Sequence, residues 1–375
     1  MINFIPLLLL ITPIAYQYNI TITLINKGET LFPNTTNSPY YYLINQNIFP
    51  NTTYQEVILE KVLVNSSPAS FKIYLDADGN SCIKIITDQP IKTNESLSLS
   101  LSFLIKIKNR DFDISGISSI NDIPMNLSEK YPLVGIWNLS SEKLEEISKL
   151  VYSIKNTEDN VLIIIMKILK WFEENIRYNS SLVYPQKVLD TYYNRNGDCD
   201  DQANLFVLFC RILGIPSYTS IGAIYIPGSK ITDEHDNMIF ILNNVVWHGW
   251  AMVYLPKDSK GEWFPVDLTF FKGAYIINNY IRSRNLLDHI TGSAFSKQAT
   301  FEYMRINSTN YIDDYFKMKN IMNSYNVTWI EEHYVYPVYE IPLWFLIVII
   351  SIISILIIYK IRNVLLRRYL FYLLA

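Results

Sequence analysis

Alternation between apolar and polar positions dominates the chain from about residue 17 to residue 135. Stretches such as "TITLI", "SFKIYLD" and "SLSLSLSFLIKIK" place an apolar side chain at nearly every second position. A period of two puts those side chains on one face of an extended strand. The pattern predicts half-buried strands, which we interpret as an antiparallel β-sandwich domain over residues 17–135.

One turn within this region has a distinctive composition. "DADGN" at residues 76–80 separates two predicted strands, and Asp, Gly and Asn favour a hairpin turn. A calcium loop is the alternative, but the later ligand positions of such a loop are missing. Cys82 lies in the strand that follows, where a buried structural thiol is expected.

The period of the pattern changes near residue 140. "SSEKLEEISKLVYSIKN" and "TEDNVLIIIMKILKWFEENIRY" carry apolar residues at helical spacing, and strand patterns return between residues 217 and 270. Helices followed by antiparallel strands are typical of an α+β domain. We therefore assign residues 136–330 to a second domain of α+β class.

The segment "NRNGDCDDQANLFVLFCRILGIP", residues 194–216, predicts a helix that begins at Cys199. Asp198 is a suitable cap, Asp200 and Asp201 suit the positive end of the helix dipole, and Gly214 is a natural terminator. The acidic residues therefore have a structural explanation, whereas the thiol does not.

A thiol at a helix start meets unpaired N–H groups that favour its ionised form. The neighbouring aspartates oppose ionisation if their charges face the sulfur, so a histidine partner is needed. The alternative is that Cys199 is a small apolar residue at a helix start.

The stretch from "MKILKWFEENIRY" through "GDCDDQANLFVLFCRILGIP" resembles the central motif of the transglutaminase-like superfamily. That motif is a helix ending in I-x-Y, then G-x-C-x-x-x-A-x-L-F, then R-x-x-G-I-P. The resemblance implies a papain-like core with Cys, His and Asp in that chain order. The preceding strands are similar to the β-sandwich found in secreted bacterial and archaeal members.

Two later strands match the family pattern for the histidine and the aspartate. "HGWAMVYL" at 248–255 is similar to H-x-W-x-E-V-Y, with Met252 where a Glu is common, and "WFPVDLT" at 263–269 is similar to W-x-x-x-D-x-T. The resemblance thus implies Cys199, His248 and Asp267 as catalytic residues. Asp267 would orient His248, and His248 would take the thiol proton.

Other candidates have less specific surroundings. Trp250 and Trp263 are predicted to wall the site. His235 is interpreted as a solvated loop residue, and His289 and His333 have no matching context. No His/Cys spacing fits a metal site, and no cofactor is implied. Cys210 lies too far along the same helix to bridge Cys199; a buried core thiol is expected, with a Cys82–Cys210 bridge as the alternative.

Two apolar segments suggest a location. The segment at residues 4–15 has the length of a signal-peptide core, with an uncleaved anchor or a buried strand as alternatives, so residues 1–16 are interpreted as a signal peptide. Residues 341–359 would span about 28 Å as a helix, and basic residues follow them. These features predict a stalk at 331–340, a transmembrane helix at 341–359 with a buried core helix as the alternative, a cytoplasmic tail at 360–375 and an extracellular N-terminal part.

Ten Asn-x-Ser/Thr sequons agree with an extracellular location. The candidate acceptors are Asn19, Asn34, Asn51, Asn65, Asn94, Asn126, Asn138, Asn179, Asn307 and Asn326.

The net charge of −3 is too small to indicate a nucleic-acid partner. The resemblance implies a protein or peptide substrate, which the predicted location would place in the cell envelope. The function we expect is a membrane-anchored extracellular thiol enzyme that acts on protein amide bonds through a thioester, with hydrolysis slightly favoured over transamidation. The alternative is a non-catalytic cell-envelope binding or adhesion module that retains the fold.

Overall fold

The computed structural model describes residues 13–108, 110–181, 184–257, 261–340 and 351–363. Most of the predicted signal peptide, residues 1–12, lies outside the described residues, as do 341–350 and 364–375.

Sixteen strands are found in the described part of the chain, several of them very short. They are β1 (Ala15–Asn26), β2 (Asn45–Asn47), β3 (Gln55–Val64), β4 (Ser67–Pro68), β5 (Phe71–Leu75), β6 (Ser81–Ile85), β7 (Ser96–Ile107), β8 (Arg177–Tyr178), β9 (Asn196–Gly197), β10 (Ser217–His235), β11 (Met238–Leu255), β12 (Glu262–Val266), β13 (Tyr275–Ile277), β14 (Tyr280–Arg282), β15 (Thr300–Ile306) and β16 (Val327–Val338).

All the α-helices numbered here except α1 follow strand β7 in the sequence. They are α1 (Pro39–Ile44), α2 (Met125–Ser128), α3 (Ser141–Lys155), α4 (Val161–Asn175), α5 (Val188–Asn194), α6 (Cys199–Ile212), α7 (Asp288–Thr291), α8 (Ala294–Lys297) and α9 (Tyr311–Ser324).

One nine-stranded sheet organises the fold. Its order is β15-β10-β11-β16-β1-β7-β3-β4, and β12 pairs with the second half of β11. The first half of β11 pairs in parallel with β16, from Met238 opposite Trp329 to Asn243 opposite Tyr334. Strand β11 therefore connects two groups of strands. Its first half reaches the N-terminal strands β1, β7 and β3 through β16, and its second half pairs with β12.

This sheet crosses the boundary that the sequence predicts at residue 135. Residues 16–336 form one compact unit, and strands from both sides of residue 135 belong to the same sheet. The first half of the chain also forms a small sheet, β2-β6-β5. Strands β5 and β6 pair antiparallel across residues 76–80, which confirms the hairpin turn.

Helix α6 lies in the centre of an apolar core whose buried members fall between Ile117 and Ile312. Every residue from Asp201 to Arg211 is buried, including polar ones. Helix α4 contributes an apolar stripe to the same core, and strands β11 and β12 complete it. This arrangement of helices against antiparallel strands confirms the α+β class predicted for the region.

The prediction of a C-terminal transmembrane helix is wrong. Across the residues that the structure describes, no helix combines the length and the apolar character needed to cross a membrane. The single-pass membrane location, which depended on that helix, is corrected with it.

Candidate active site

Helix α6 starts at Cys199, where the sequence predicts. Asp198 caps α6 by accepting a hydrogen bond from the backbone N–H of Asp201, and the Asp201 carboxylate accepts one from the N–H of Asp198. Both Gln186 N–H groups, one from the backbone and one from the side chain, also donate to Asp201 at 2.8 and 2.9 Å. These contacts fix the first turn of α6, and with it the backbone of Cys199.

A glycine on strand β11 lets this first turn approach the sheet. A Cβ added at Gly249 would lie 2.6 Å from the Cβ of Asp200 and 2.8 Å from its Cα. Any larger residue at position 249 would displace the helix start. Because His248 precedes Gly249, the same contact holds the start of α6 beside the predicted base.

His248 and Asp267 form a buried pair. The Nε2 atom of His248 lies 2.8 Å from Oδ2 of Asp267, and the two side chains are 5% and 0% exposed. Three backbone N–H groups, those of Thr269, Phe270 and Ala294, also donate to the Asp267 carboxylate. The carboxylate is therefore fully satisfied and rigid, and it leaves Nδ1 as the free ring nitrogen of His248.

The surroundings of Cys199 do not lower the pKa of its thiol. Burial is the largest cause of a pKa well above the ordinary value, and the charges of Asp198 and Asp200 add to it. The backbone N–H of Gly249 acts in the opposite direction, because it donates to the sulfur. The helix start alone thus does not produce a thiolate, and the sulfur needs the histidine partner that the sequence analysis calls for.

The acidic residues around the cysteine also interact with one another. Burial, together with the charges of Asp200 and Asp201, raises the pKa of Asp198 to about 10, and burial with the charge of Asp200 raises that of Asp201 to about 6. The ligand atoms of Asp198, Cys199 and Asp200 lie within 4.8 Å of one another, close enough to share a cation. Asp198 already serves as the helix cap, however.

Asp200 has a buried partner on another helix. The hydroxyl of Tyr311, at the start of α9, donates to Oδ2 of Asp200 at 2.5 Å and accepts from Nδ2 of Asn204 at 2.8 Å. Asn204 in turn accepts from the hydroxyl of Thr219 at 2.7 Å. This network holds the Asp200 carboxylate at the start of α6 and ties α6 to α9 and β10.

Sequence reasoning missed Tyr178 as a site residue. Burial, followed by the charges of Cys199, Asp198 and Asp267, raises the pKa of its hydroxyl to about 12. The charges at the start of α6 thus act on this hydroxyl, which stays protonated at neutral pH. Its signal in the sequence is the final Tyr of the I-x-Y motif.

The two tryptophans predicted as site walls occupy different surroundings. Trp250 is fully buried and stacks on His248, with ring centroids 6.0 Å apart. Its Nε1 lies 3.3 Å from the sulfur of Met252, the residue that replaces the Glu common in the family. The ring of Trp263 contacts Tyr131, Tyr218 and Tyr254 instead.

The remaining histidines are all buried. His235 is 8% exposed and contacts the hydroxyl of Tyr315, so its interpretation as a solvated loop residue is wrong. His333 pairs with Glu331, and His289 pairs with Glu173. Cys82, Cys199 and Cys210 are free thiols, so the alternative of a Cys82–Cys210 bridge is not formed.

The ten sequon asparagines lie mostly at the surface of the described chain. Asn19, Asn179 and Asn307 are half-buried. The side-chain oxygen Oδ1 of Asn307 accepts a hydrogen bond from Arg211 at 2.9 Å, and Oδ1 of Asn19 accepts one from the hydroxyl of Ser102 at 2.7 Å. The other seven side chains are exposed.

Residues 148–268 match the sequence profile of the transglutaminase-like superfamily. The matched range contains Cys199, His248 and Asp267, and it confirms the transglutaminase-like fold predicted for the second domain. No match is found among curated protein sequences.

Two solved structures that match this chain share little sequence with it. A candidate cysteine protease from Cytophaga hutchinsonii is 16% identical, covers 88% of this chain and 92% of its own, and has a TM-score of 0.49. The periplasmic domain of TgpA from Pseudomonas aeruginosa, bound to ethylmercury, is 13% identical, with 66% and 89% coverage and a TM-score of 0.30.

Proposed function

We propose that this chain is a cysteine-dependent enzyme that transfers the acyl group of a protein or peptide amide. Cys199 is the nucleophile, His248 the base and Asp267 the residue that orients the base. The observation that carries the proposal is the buried 2.8 Å contact between His248 and Asp267, beside a glycine that touches the first turn of the cysteine helix.

In the first half of the reaction, His248 takes the proton of the Cys199 thiol and the sulfur attacks the amide carbonyl carbon. A C–S bond forms, the C–N bond breaks, and the leaving amine takes the proton from the imidazolium. A thioester remains on Cys199. The sulfur ionises as part of an ion pair with the imidazolium, because burial and two aspartates oppose a lone thiolate.

The oxyanion formed by the attack needs hydrogen-bond donors. The backbone N–H of Cys199 is one candidate, since the first N–H groups of a helix have no partner within it. Tyr178 is a second, because its hydroxyl retains its proton and interacts electrostatically with Cys199. We assign these two groups to the oxyanion.

The second half of the reaction needs an acceptor for the acyl group. We propose water, which is far more concentrated than any amine: His248 removes its proton, the oxygen attacks the thioester, and the acid and the thiol are released. An amine acceptor would use the same residues and would form a new amide.

The experiment combines a peptide library that contains glutamine and asparagine with a labelled primary amine. New peptide termini or released ammonia are expected from the wild type and not from Cys199→Ala, while Cys210→Ala is the matched control that keeps activity. Incorporation of the label would show that an amine, and not water, is the acyl acceptor. No turnover of any peptide, together with alkylation of Cys199 by iodoacetamide no faster than that of free cysteine, would contradict the proposal.

One observation favours the alternative of a non-catalytic binding module. The high pKa of the Cys199 thiol would leave the sulfur unreactive if His248 did not share its proton. The alkylation measurement separates the two functions directly, because a binding module needs no reactive thiol.

A further inference from the structure

A second histidine–carboxylate pair contacts the backbone of Asp267. His289, on α7, is 1% exposed. Its Nδ1 lies 2.6 Å from the backbone carbonyl oxygen of Asp267, and its Nε2 lies 3.0 Å from Oε1 of Glu173 in the last turns of α4. In return, the N–H of Asp267 donates to the carbonyl of His289 at 2.9 Å.

Both partners of the His289 ring are acceptors. A backbone carbonyl oxygen has no proton to give. Oε1 of Glu173 also accepts the N–H of Ser283 at 2.8 Å. Burial raises the pKa of Glu173, but the hydrogen bonds that its carboxyl group accepts, including that from Ser283, outweigh it, so the net pKa lies below its ordinary value. Glu173 is therefore a carboxylate, and each ring nitrogen must supply its own proton.

We propose that His289 is held as a doubly protonated imidazolium and is a positioning residue for Asp267. It ties the backbone of Asp267 to α4 through Glu173, and the backbone of Asp267 sets where its carboxylate meets His248. The positioning role rests on the proposed function, whereas the protonation state does not.

The protonation state can be measured on the wild-type chain. With ¹⁵N-labelled histidine, two-bond ¹H–¹⁵N spectra at pH 7.5 distinguish an imidazolium from either neutral tautomer. His289, identified by the signals missing from His289→Gln, is expected to show two protonated ring nitrogens. A neutral tautomer would overturn the proposal.

The positioning role is tested with Glu173→Gln, which keeps the size of the side chain and removes its charge. His289 is expected to become neutral in this variant, and Cys199 alkylation by iodoacetamide is expected to slow by about tenfold to a hundredfold, the usual effect of losing an outer hydrogen-bond partner. His289→Gln should slow it as much. If Glu173→Gln leaves the alkylation rate unchanged, the positioning role is wrong.

His333→Gln is the matched control. His333 is also buried and also pairs with a glutamate, at 2.7 Å, but its Nδ1 contacts the hydroxyl of Tyr18. We expect a similar loss of thermal stability without slower alkylation. Slower alkylation in this control would show a general packing effect and would overturn the assignment. If wild-type Cys199 is no more reactive than free cysteine, the proposed function fails, while the spectra still decide the charge of His289.

Discussion

The two halves of strand β11 lead to two buried histidine–carboxylate pairs with different surroundings. The first half pairs with β16, on which His333 lies 2.7 Å from Glu331. The second half begins at His248, which lies 2.8 Å from Asp267. Trp247 packs on His333 with ring centroids 5.0 Å apart, so adjacent residues of β11 serve opposite faces of the sheet.

The difference lies at the second nitrogen of each ring. Nδ1 of His333 meets the hydroxyl of Tyr18, at 3.1 Å, inside an apolar core. Nδ1 of His248 is left for the helix start that carries Cys199. A buried histidine–carboxylate pair is therefore not evidence of catalysis by itself. The glycine at position 249, which admits the cysteine helix, distinguishes the two halves.

Replacing each histidine by glutamine tests this comparison with the largest expected effect. His248→Gln removes the base, so turnover is expected to fall by at least about 100-fold, the lower limit for a general base. His333→Gln should leave turnover within about twofold, since a packing change around His333 does not touch the reacting atoms. Peptide turnover and Cys199 alkylation measure both variants.

Equal losses in the two variants would show that the pairs do not differ in function. Unfolding curves of both variants, measured under the same conditions, show whether His248→Gln loses turnover because a smaller fraction of it is folded.

Gly249→Ala changes the feature that distinguishes the two halves of β11. The added Cβ would overlap the backbone of Asp200, so the free energy of unfolding should fall by about 1–3 kcal/mol and Cys199 should be displaced. Chemical denaturation and the alkylation rate measure the two effects. Gly228→Ala is the control for a stability loss away from the site: a Cβ there meets no atom within 4 Å, but the φ of +79° strains alanine, so unfolding becomes easier without slower alkylation. If Gly249→Ala is as stable and as reactive as the wild type, the close contact is not what holds the site.

The helix at Cys199 follows from a local pattern, an aspartate cap before an apolar helix. The choice of His248 and Asp267 came from the family resemblance, and the structure places these two side chains in contact. The sequence was also sufficient for the hairpin at residues 76–80, where Asp76 accepts the backbone N–H groups of Asp78 and Asn80.

Long-range packing could not be predicted in the same way. The pairing of β11 with β16, nearly ninety residues later in the chain, is a tertiary contact without a local pattern. The roles of His289 and Tyr178 depend on which groups surround them. The apolar run at 341–359 is the converse case: its length, its apolar composition and the basic residues after it predict a spanning helix, and no such helix is found among the described residues.

Asp198→Asn tests the charge at the start of α6. This helix start packs against the second half of β11 at Gly249, whereas the first half of β11 has no such neighbour among the contacts described above. The pKa of Asp198 is about 10 in the folded chain, against about 4 when unfolded, so the wild type loses stability as the pH rises between these values. Asparagine still caps a helix and carries no charge. The variant should therefore gain on the wild type by at least about 1 kcal/mol between pH 5 and pH 9, the equivalent of a single pKa unit.

Thermal unfolding at pH 5, 7 and 9 measures that gain. A difference between variant and wild type that stays constant or shrinks with pH would mean that Asp198 is ionised in the folded protein. Asp113→Asn is a suitable control, because that exposed carboxylate interacts with Lys257 and Ser115, away from the cysteine helix.

Tyr18→Phe gives the smallest expected effect and tests the first half of β11 alone. It removes the hydroxyl that contacts Nδ1 of His333 and leaves the ring packed against Phe49 and Phe301. The free energy of unfolding should fall by about 1 kcal/mol, the usual value of one buried hydrogen bond. Cys199 alkylation should not change, because no contact of Tyr18 reaches the helix side of the sheet. A slower alkylation rate in this variant would mean that the two pairs are coupled through β11, and that the sheet transmits packing changes from one face to the other.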